Sequence, residues 1–332
     1  MKILFPFFAV IALILLAVIG TAANLHFLFG VVIPYAALFI FIFGVIYRVL
    51  KWAKSPVPFC IPTTCGQQKS LPWIKQNKLE NPSSTLHVIG RMALEVLTFR
   101  SLFRNIKGEL RDSSKLIYGS DKWLWLGGIA FHYSFLIVLL RHIRLFAEPA
   151  PAYLFILEAF DGFLQIGIPR LFATGVVLLA AAAYLFLRRI YVPQVRYISL
   201  AADYFPLFLI MGIATTGIIM RYFLKTDIVG VKEFTMGLVG FSPIIPKGVG
   251  SIFYVHLLLV SALFAYFPFS KLVHMAGVFL SPTRNMVASS REFRHVNPWN
   301  YPVKVHTYEE YEEDFRDKMK MAEIPVEKEP IK

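Results

Sequence analysis

The chain alternates between long apolar runs and polar segments, and the apolar runs define its expected architecture. Six runs have the length of about 20 residues that a bilayer-spanning helix needs. They cover residues 3–20, 27–49, 123–145, 171–187, 204–224 and 251–269. Backbone amides in hydrocarbon must bond within their own segment, so such runs are expected to be helical. The pattern predicts an all-α, integral membrane helical bundle with six transmembrane helices.

The first apolar run admits two interpretations. Lys2, the apolar stretch and the small residues at 21–23 also resemble a signal peptide or signal anchor. The run is long for a signal peptide and carries little positive charge before it, so we expect a retained transmembrane helix within residues 1–26. Residues 27–279 then form the main transmembrane domain, with a long loop at 51–122, and residues 280–332 form a tail.

Charge predicts the orientation of the bundle. Charged residues make up only 17% of the chain, yet its net charge is +13. Residues 51–122 hold twelve Lys/Arg against five acids, whereas residues 146–169 hold three acids and no Lys or Arg. Because basic loops stay inside, we expect a multi-pass protein of the cell (cytoplasmic) membrane with both termini cytoplasmic. The positive charge thus reflects topology, and a nucleic-acid partner is not expected.

Two polar regions are expected outside the bilayer core. Residues 90–110 alternate apolar and basic positions at helical spacing, which predicts one helix lying in the interface or docking against a partner. The tail is basic over 281–306 and net acidic over 307–332, with too little apolar content for its own core. We expect it to be disordered or to lie over a cytoplasmic partner subunit.

Cysteine usage limits the redox chemistry of this chain. Cys60 and Cys65 are its two cysteines, and the C-x-x-C-H motif of covalent haem is absent. Two cysteines cannot hold an iron–sulfur cluster unaided. Whether they contact a partner's cluster or are inert is open at this point.

The candidate chemistry lies in four histidines within two apolar runs: His132 and His142 on the third predicted span, His256 and His274 on the sixth. An ionisable residue inside a membrane helix is by default a functional hypothesis. Haem iron accepts a neutral imidazole as axial ligand. Antiparallel spans pair His142 with His256 at the outer side and His132 with His274 at the inner side. The pattern thus predicts two bis-histidine b haems, with these four residues as ligands of the haem iron.

Helix geometry accommodates this pairing with adjustments. Separations of 10 and 18 residues correspond to rises of ~15 and ~27 Å and leave His142 about 80° around the helix from His132. The third span must therefore be tilted or overwound, and Pro268 is expected to kink the sixth. Two alternatives remain: histidines bonded across helices for packing alone, and metal without porphyrin, which two ligands would hold poorly.

The sequence resembles a known family at these residues. Leu263-Phe264, Phe267-Pro268-Phe269 and Leu272-Val273-His274, with His256 18 residues before His274, are similar to the last helix of the respiratory nitrate reductase gamma subunit family, and so is the His132–His142 spacing. The resemblance implies a dihaem cytochrome b with a quinol site near the outer haem. It covers about residues 27–279, which makes this the cytochrome b domain.

Within that family, IPTTCGQQ at 61–68, LPW at 71–73 and NPSST at 81–85 are most similar to the M subunits, usually called DsrM, of the sulfite-reduction-associated DsrMKJOP membrane complex. This implies a cytoplasmic iron–sulfur partner of heterodisulfide-reductase-like type, a multihaem cytochrome c, a ferredoxin-like subunit and a second quinone-interacting membrane subunit. It also implies a role in dissimilatory sulfate or sulfite respiration.

Charged residues at the outer helix ends are further candidates. Arg141, Arg144 and Arg221 are expected either to bind haem propionates, as cofactor-binding residues, or to snorkel at the interface. The proton acceptors for a menaquinone-like quinol are not separable by sequence, so no catalytic residue is assigned. The outer loops offer Glu148, Glu158, Asp161, Lys225 and Lys232.

The resulting hypothesis is an electron-transfer subunit that links a menaquinol-like quinol to a cytoplasmic iron–sulfur subunit through two haems b. The direction of electron flow and the terminal substrate are open. Rival hypotheses are the cytochrome b anchor of another respiratory complex (nitrate reductase, formate dehydrogenase or heterodisulfide reductase type), an anchor without haem, and a proton-relay transporter. A transporter is typified by inverted repeats with broken helices, and the sequence shows no repeat.

Overall fold

The computed structural model describes residues 2–55, 66–111, 115–246, 248–288 and 306–327. Within these ranges six helices are long and apolar enough to cross a membrane: Leu4–Ala22, Leu28–Ala53, Lys122–Leu145, Ala173–Tyr191, Ala201–Phe223 and Ser251–Phe269. They confirm the six predicted spans and the all-α membrane bundle.

The α-helical parts of these spans are α1 (Leu4–Ala22), α2 (Ile33–Ala53), α5 (Lys122–His142), α7 (Ala173–Tyr191), α9 (Ala201–Ile218) and α11 (Ser251–Tyr266). Wider π-helical turns, Leu28–Val32 and Ile219–Phe223, precede α2 and follow α9. Shorter helices connect the spans: α3 (Thr85–Thr98), α4 (Arg100–Phe103), α6 (Tyr153–Asp161), α8 (Pro193–Ile198) and α10 (Ile228–Val239). After the last span come α12 (His274–Gly277) and α13 (Tyr308–Met321).

The helix α11 lies at the centre of the bundle. In its span 44% of the residues are buried, against 17–28% in the other five. It packs on α1, α2 and α9. Val10 and Ala17 of α1 are buried in this same core, so α1 is an integral part of the bundle. The exposed apolar faces of the outer helices are suited to lipid.

The cytoplasmic-loop prediction needs one correction. A continuous helix over 90–110 is wrong, because α3 ends at Thr98 and Phe99 adopts a left-handed conformation with φ of 50°. Beyond α4 the chain forms an antiparallel hairpin of β1 (Ile106–Arg111) and β2 (Lys115–Ser120), with Ile106 opposite Ser120. A left-handed residue cannot continue a right-handed helix, and the strands satisfy the backbone that follows.

The sixth span is broken rather than merely kinked at the proline. Pro268 follows α11 in a 3₁₀ turn, Phe267–Phe269, and Ser270 is extended. A second turn, Lys271–Val273, leads into α12, which begins at His274. Proline removes one backbone donor, so the helical hydrogen bonding of α11 does not continue through this segment to His274.

The tail contains a helix that the sequence interpretation did not include. Thr307 caps α13 through a reciprocal capping box with Glu310. The Glu327 backbone amide donates to Glu312, so the segment that follows α13 folds back on this helix as far as Glu327. The prediction of disorder is therefore wrong for Tyr308–Met321, and the expected contact with a partner stays a prediction.

Candidate functional site

At one end of the bundle the structure brings His132 and His274 together. Their ring centroids are 5.9 Å apart and their planes are inclined by 84°. His132 Nδ1 lies 2.7 Å from the carbonyl oxygen of Gly128, one turn back on α5. His274 Nδ1 lies 2.9 Å from the carbonyl oxygen of Lys271. We call this end the His132 end.

The segment that carries His274 is tied to α9. Lys271 Nζ donates to Asp203 Oδ1 at 2.7 Å, and Asp203 also accepts from the backbone amide of Leu200 at the start of α9. Tyr266, the last residue of α11, donates to the carbonyl of Ala202. These bonds position the turn after the break, and with it the Lys271 carbonyl that faces His274.

The other pair lies at the opposite end of the bundle, the His142 end. His142 Nδ1 is 2.7 Å from the carbonyl oxygen of Val138 on its own helix. His256 Nδ1 is 2.8 Å from Thr216 Oγ1 on α9. His142 follows Arg141 and His256 bonds Thr216, five residues before Arg221; because Arg141 and Arg221 share the ring of Phe172, the two histidines lie at the same end of the bundle. One of the two histidines on α5 thus lies with each of the two histidines of the sixth span.

All four histidines share one hydrogen-bonding arrangement that fits metal ligation. Each Nδ1 has a partner oxygen, which favours the tautomer with hydrogen on Nδ1 and a free lone pair on Nε2. A metal ion held between two imidazoles lies ~2.0 Å from one nitrogen of each ring. With the distance from each nitrogen to the centre of its own ring added, the two ring centroids are about 6 Å apart. The separation of 5.9 Å between His132 and His274 fits two axial ligands of one iron. Over the described ranges no three His, Cys, Asp or Glu residues cluster as a bare-metal site.

Aromatic residues enclose the His132 end. The rings of Phe99 and Phe131 lie 4.9 and 5.2 Å from that of His132, centroid to centroid. Tyr133 Oη and Trp125 Nε1 donate to the carbonyls of Leu97 and Thr98, both at 2.8 Å. The end of α3 is thereby fixed against α5, and the left-handed Phe99 is held over the histidine.

Two of the three predicted arginines meet at one phenylalanine at the His142 end. The guanidinium carbons of Arg141 and Arg221 lie 3.8 and 4.2 Å from the ring centroid of Phe172. Arg141 also forms an ion pair of 3.1 Å with Asp161, which accepts two bonds from Thr174. Nε of both arginines is buried without a hydrogen-bond partner in the described part of the chain. Asp161 pairs with Arg141 while Arg221 lies against the same ring, so the two adjacent cations could bind a further anionic group.

The third arginine and most quinol candidates are engaged elsewhere. Arg144 pairs with Glu158 at 2.5 Å, and Lys232 pairs with Glu148. Lys225 has a left-handed backbone with φ of 48° in the loop after α9. Four of the five quinol candidates, Glu148, Glu158, Asp161 and Lys232, are therefore engaged in ion pairs.

The remaining sequence candidates are dispersed. Cys60, Cys65 and His295 lie outside the described residues. His87 Nδ1 lies 2.9 Å from Ser84 Oγ, and His306 lies within 4.0 Å of Glu310 and Asp314, on or beside surface helices. His26 packs edge-on against Tyr254, with ring centroids 5.0 Å apart.

Sequence reasoning missed Thr216, Phe172 and Phe99, which contact the candidate histidines and arginines directly. Thr216 carries a weak signal, since Thr215 and Thr216 interrupt an otherwise apolar run. Phe172 and Phe99 carry none, because phenylalanine is common throughout the chain and their roles arise only when separate elements pack together.

Comparison with known proteins shows the family of the chain. The profile of the nitrate reductase gamma subunit family matches residues 91–290, which include all four histidines. The chain is 46% identical over 281 residues to the Hdr-like menaquinol oxidoreductase cytochrome b-like subunit of Archaeoglobus fulgidus, covering 82% of this chain and 83% of the relative. It is 42% identical over 275 residues to the protein of the same description from Archaeoglobus profundus, covering 81% of each. The resemblance found in the sequence is confirmed: the chain is a multi-pass membrane protein that belongs to the nitrate reductase gamma subunit family.

Proposed function

We propose that this chain is a quinol-linked cytochrome b subunit with two bis-histidine haems b, one at His132/His274 and one at His142/His256. The observation that carries the proposal is the shared state of the four side chains: every Nδ1 is hydrogen-bonded, which makes Nε2 the nitrogen whose lone pair can bind iron. When bound, each haem supplies one-electron transfer through its iron. The protein supplies ligands whose orientation and basicity are set by the oxygen at Nδ1.

At the His142 end, Arg141 and Arg221 are assigned to the haem propionates. Their buried Nε atoms lack partners among the described residues, and Phe172 holds the two guanidinium groups beside each other. Guanidinium binds carboxylate through paired hydrogen bonds, so a propionate would offset the repulsion between the two cations. Arg144 already forms an ion pair with Glu158 and is therefore a weaker candidate for binding a propionate.

The substrate assignment is a menaquinol-like quinol oxidised near the His142 end. The two relatives are described as menaquinol oxidoreductase cytochrome b-like subunits, and the basic loop at 51–122 argues that the His132 end faces the cytoplasm. Protons would leave on the outer side while electrons move inward. Quinone reduction by the reverse flow uses the same residues.

The proposed acceptor is a cytoplasmic iron–sulfur subunit of heterodisulfide-reductase-like type, docked on the basic loop and the tail. Both relatives carry an Hdr-like description, which argues for such a complex. The further partners are a multihaem cytochrome c, a ferredoxin-like subunit and a second membrane subunit, in dissimilatory sulfate or sulfite respiration. The proposed location is the cell membrane with both termini cytoplasmic.

The test is quinol-driven reduction of the purified full chain in detergent. A reduced water-soluble naphthoquinone is mixed anaerobically with oxidised protein, and the b-type absorbance is followed by stopped flow. We expect rapid reduction in the wild type and in His87→Ala, which changes a half-buried histidine on α3, and loss of the fast phase in His142→Ala. Haem that dithionite reduces and quinol does not would contradict the quinol assignment.

A further inference from the structure

Thr216 distinguishes one of the four histidines from the other three. His132, His142 and His274 each bond a backbone carbonyl three or four residues earlier in the chain. Such bonds form whenever the local helix or turn forms. His256 instead bonds the hydroxyl of Thr216, which lies 40 residues away on α9, with the backbone carbonyl of Ile213 on the same helix as a second partner. The orientation of its ring therefore depends on the contact between two helices.

The hydrogen-bond geometry of Thr216 identifies the donor. Thr216 Oγ1 lies 2.8 Å from the carbonyl oxygen of Gly212 and 3.0 Å from that of Ile213. A hydroxyl carries one hydrogen and two acceptor lone pairs, and carbonyl oxygens only accept. The hydroxyl hydrogen is thus used within α9, so a lone pair of Oγ1 accepts the hydrogen of His256 Nδ1. Thr216 is 6% exposed, which keeps water from replacing this bond.

Two glycines of α9 lie at the contact with α11 beside this bond. A Cβ atom at Gly212 would lie 3.3 Å from Leu259 Cδ1 on α11. A Cβ atom at Gly217 would lie 3.5 Å from His256 Cε1. The small residues on either side of Thr216 therefore bring α9 against α11 at the depth of His256.

We propose that Thr216 is a positioning residue for the His142-end haem, which it affects through the tautomer and donor strength of His256. An acceptor at Nδ1 makes the imidazole a stronger electron donor to iron and stabilises the oxidised state. Thr216 thereby lowers the reduction potential of this haem relative to a site with a bare Nδ1. The inference rests on the proposed function in one respect, the ligation of haem iron by His256.

The chain offers a matched control in the adjacent residue. Thr215 lies on the exposed side of α9, so Thr215→Val changes the same residue type without touching His256. Thr216→Val keeps the side-chain shape and removes the acceptor, whereas Thr216→Ser keeps the hydroxyl. All three variants would be purified as full chains and studied by redox titration of the b-type absorbance, with pyridine haemochrome quantification of haem.

We expect both haems to be retained in Thr216→Val and one of the two midpoint potentials to rise. A tenfold change in the reduction equilibrium corresponds to about 59 mV for one electron. Thr216→Ser and Thr215→Val should titrate as the wild type. Loss of one haem in Thr216→Val, with both retained in Thr216→Ser and Thr215→Val, would equally support positioning by the hydroxyl.

Two results would overturn the inference alone while the proposed function stands. One is a Thr216→Val protein with two haems at wild-type potentials. The other is a loss of haem or a potential shift shared by Thr216→Val and Thr216→Ser, which would make Thr216 a packing residue. A folded wild-type protein without haem would instead contradict the proposed function together with this inference.

Discussion

At the scale of single residues, burial decides which ion pairs matter at the His142 end. The Asp161 side chain is 2% exposed and the Arg141 side chain 12%, whereas the nearby pair of Arg144 and Glu158 is 45% and 20% exposed. An exposed ion pair adds little to the stability of the folded protein, because water screens the attraction between its charges. A buried pair contributes mainly through the penalty that follows when one charge loses its partner.

Asp161→Ala is therefore expected to destabilise the protein strongly. The change removes the carboxylate that pairs with Arg141 and accepts a hydrogen bond from Thr174. Breaking a buried ion pair lowers the free energy of unfolding by about 3–5 kcal/mol. Glu158→Ala is the matched variant at the exposed pair, with an expected cost of about 0–1 kcal/mol. Unfolding in mixed micelles would measure both, and equal costs would show that Asp161 has no special role.

At the scale of elements, the break after α11 determines where His274 lies. Pro268 packs against α2 at Gly44, where an added Cβ would come within 2.7 Å of the proline ring. A proline ring cannot rotate aside as a flexible chain does. The bare backbone at Gly44 is thus what lets α2 lie against the broken end of α11.

Gly44→Ala is expected to destabilise the protein by about 1–3 kcal/mol through overpacking, and to weaken haem binding at the His132 end. Alanine is the better helix former by about 1 kcal/mol, so a helix-propensity effect alone would have the opposite sign. Gly175→Ala provides the control, because a Cβ at Gly175 meets no atom within 4 Å. Thermal unfolding and haem content would be compared, and a stabilised Gly44→Ala protein would contradict the packing.

Prediction from sequence succeeded for features that one segment determines alone. Each membrane span is a single apolar run, and its helical state follows from the cost of unbonded amides in lipid. The hairpin after α4 was missed because the left-handed Phe99 ends the helical pattern while its neighbours still repeat at helical spacing. Pro268 indicated an irregularity in the sixth span. The close contact of its ring with Gly44 of α2 could not be read from the sequence.

In the site, too, residues that one segment makes conspicuous were predicted, whereas residues that act through packing between elements were not. The four histidines are conspicuous because imidazole is rare in lipid, and sequence spacing sufficed to propose their pairing. Thr216 and Phe172 became visible only when α9 met α11 and when α5, α7 and the turn after α9 converged. Their roles are properties of packing between elements, for which a single sequence carries no direct signal.

At the scale of the whole molecule, loop charge predicts the side on which each haem pair lies. The loop at 51–122 and the basic turn after α7 share one end of the bundle with His132, and the acidic segment 146–169 lies at the other. From the positive-inside rule we expect the His132 end to face the cytoplasm. This assignment makes inward electron transfer separate charge across the membrane.

Cysteine labelling tests that orientation. In a chain with Cys60 and Cys65 replaced by serine, Lys225→Cys is expected to react with a membrane-impermeant maleimide in intact cells. Lys78→Cys should react only after the membrane is opened, because it belongs to the basic loop. The reverse pattern would invert the bundle and place quinol oxidation at the opposite surface.

The most direct test of the whole account is the haem content of the purified full chain. A dithionite-reduced minus oxidised spectrum with pyridine haemochrome quantification should give two b haems per chain. His142→Ala and His274→Ala should each fall toward one haem, since each removes a ligand from a different pair. Folded wild-type protein without haem, or ligand variants that keep both haems, would contradict the assignment of these four histidines.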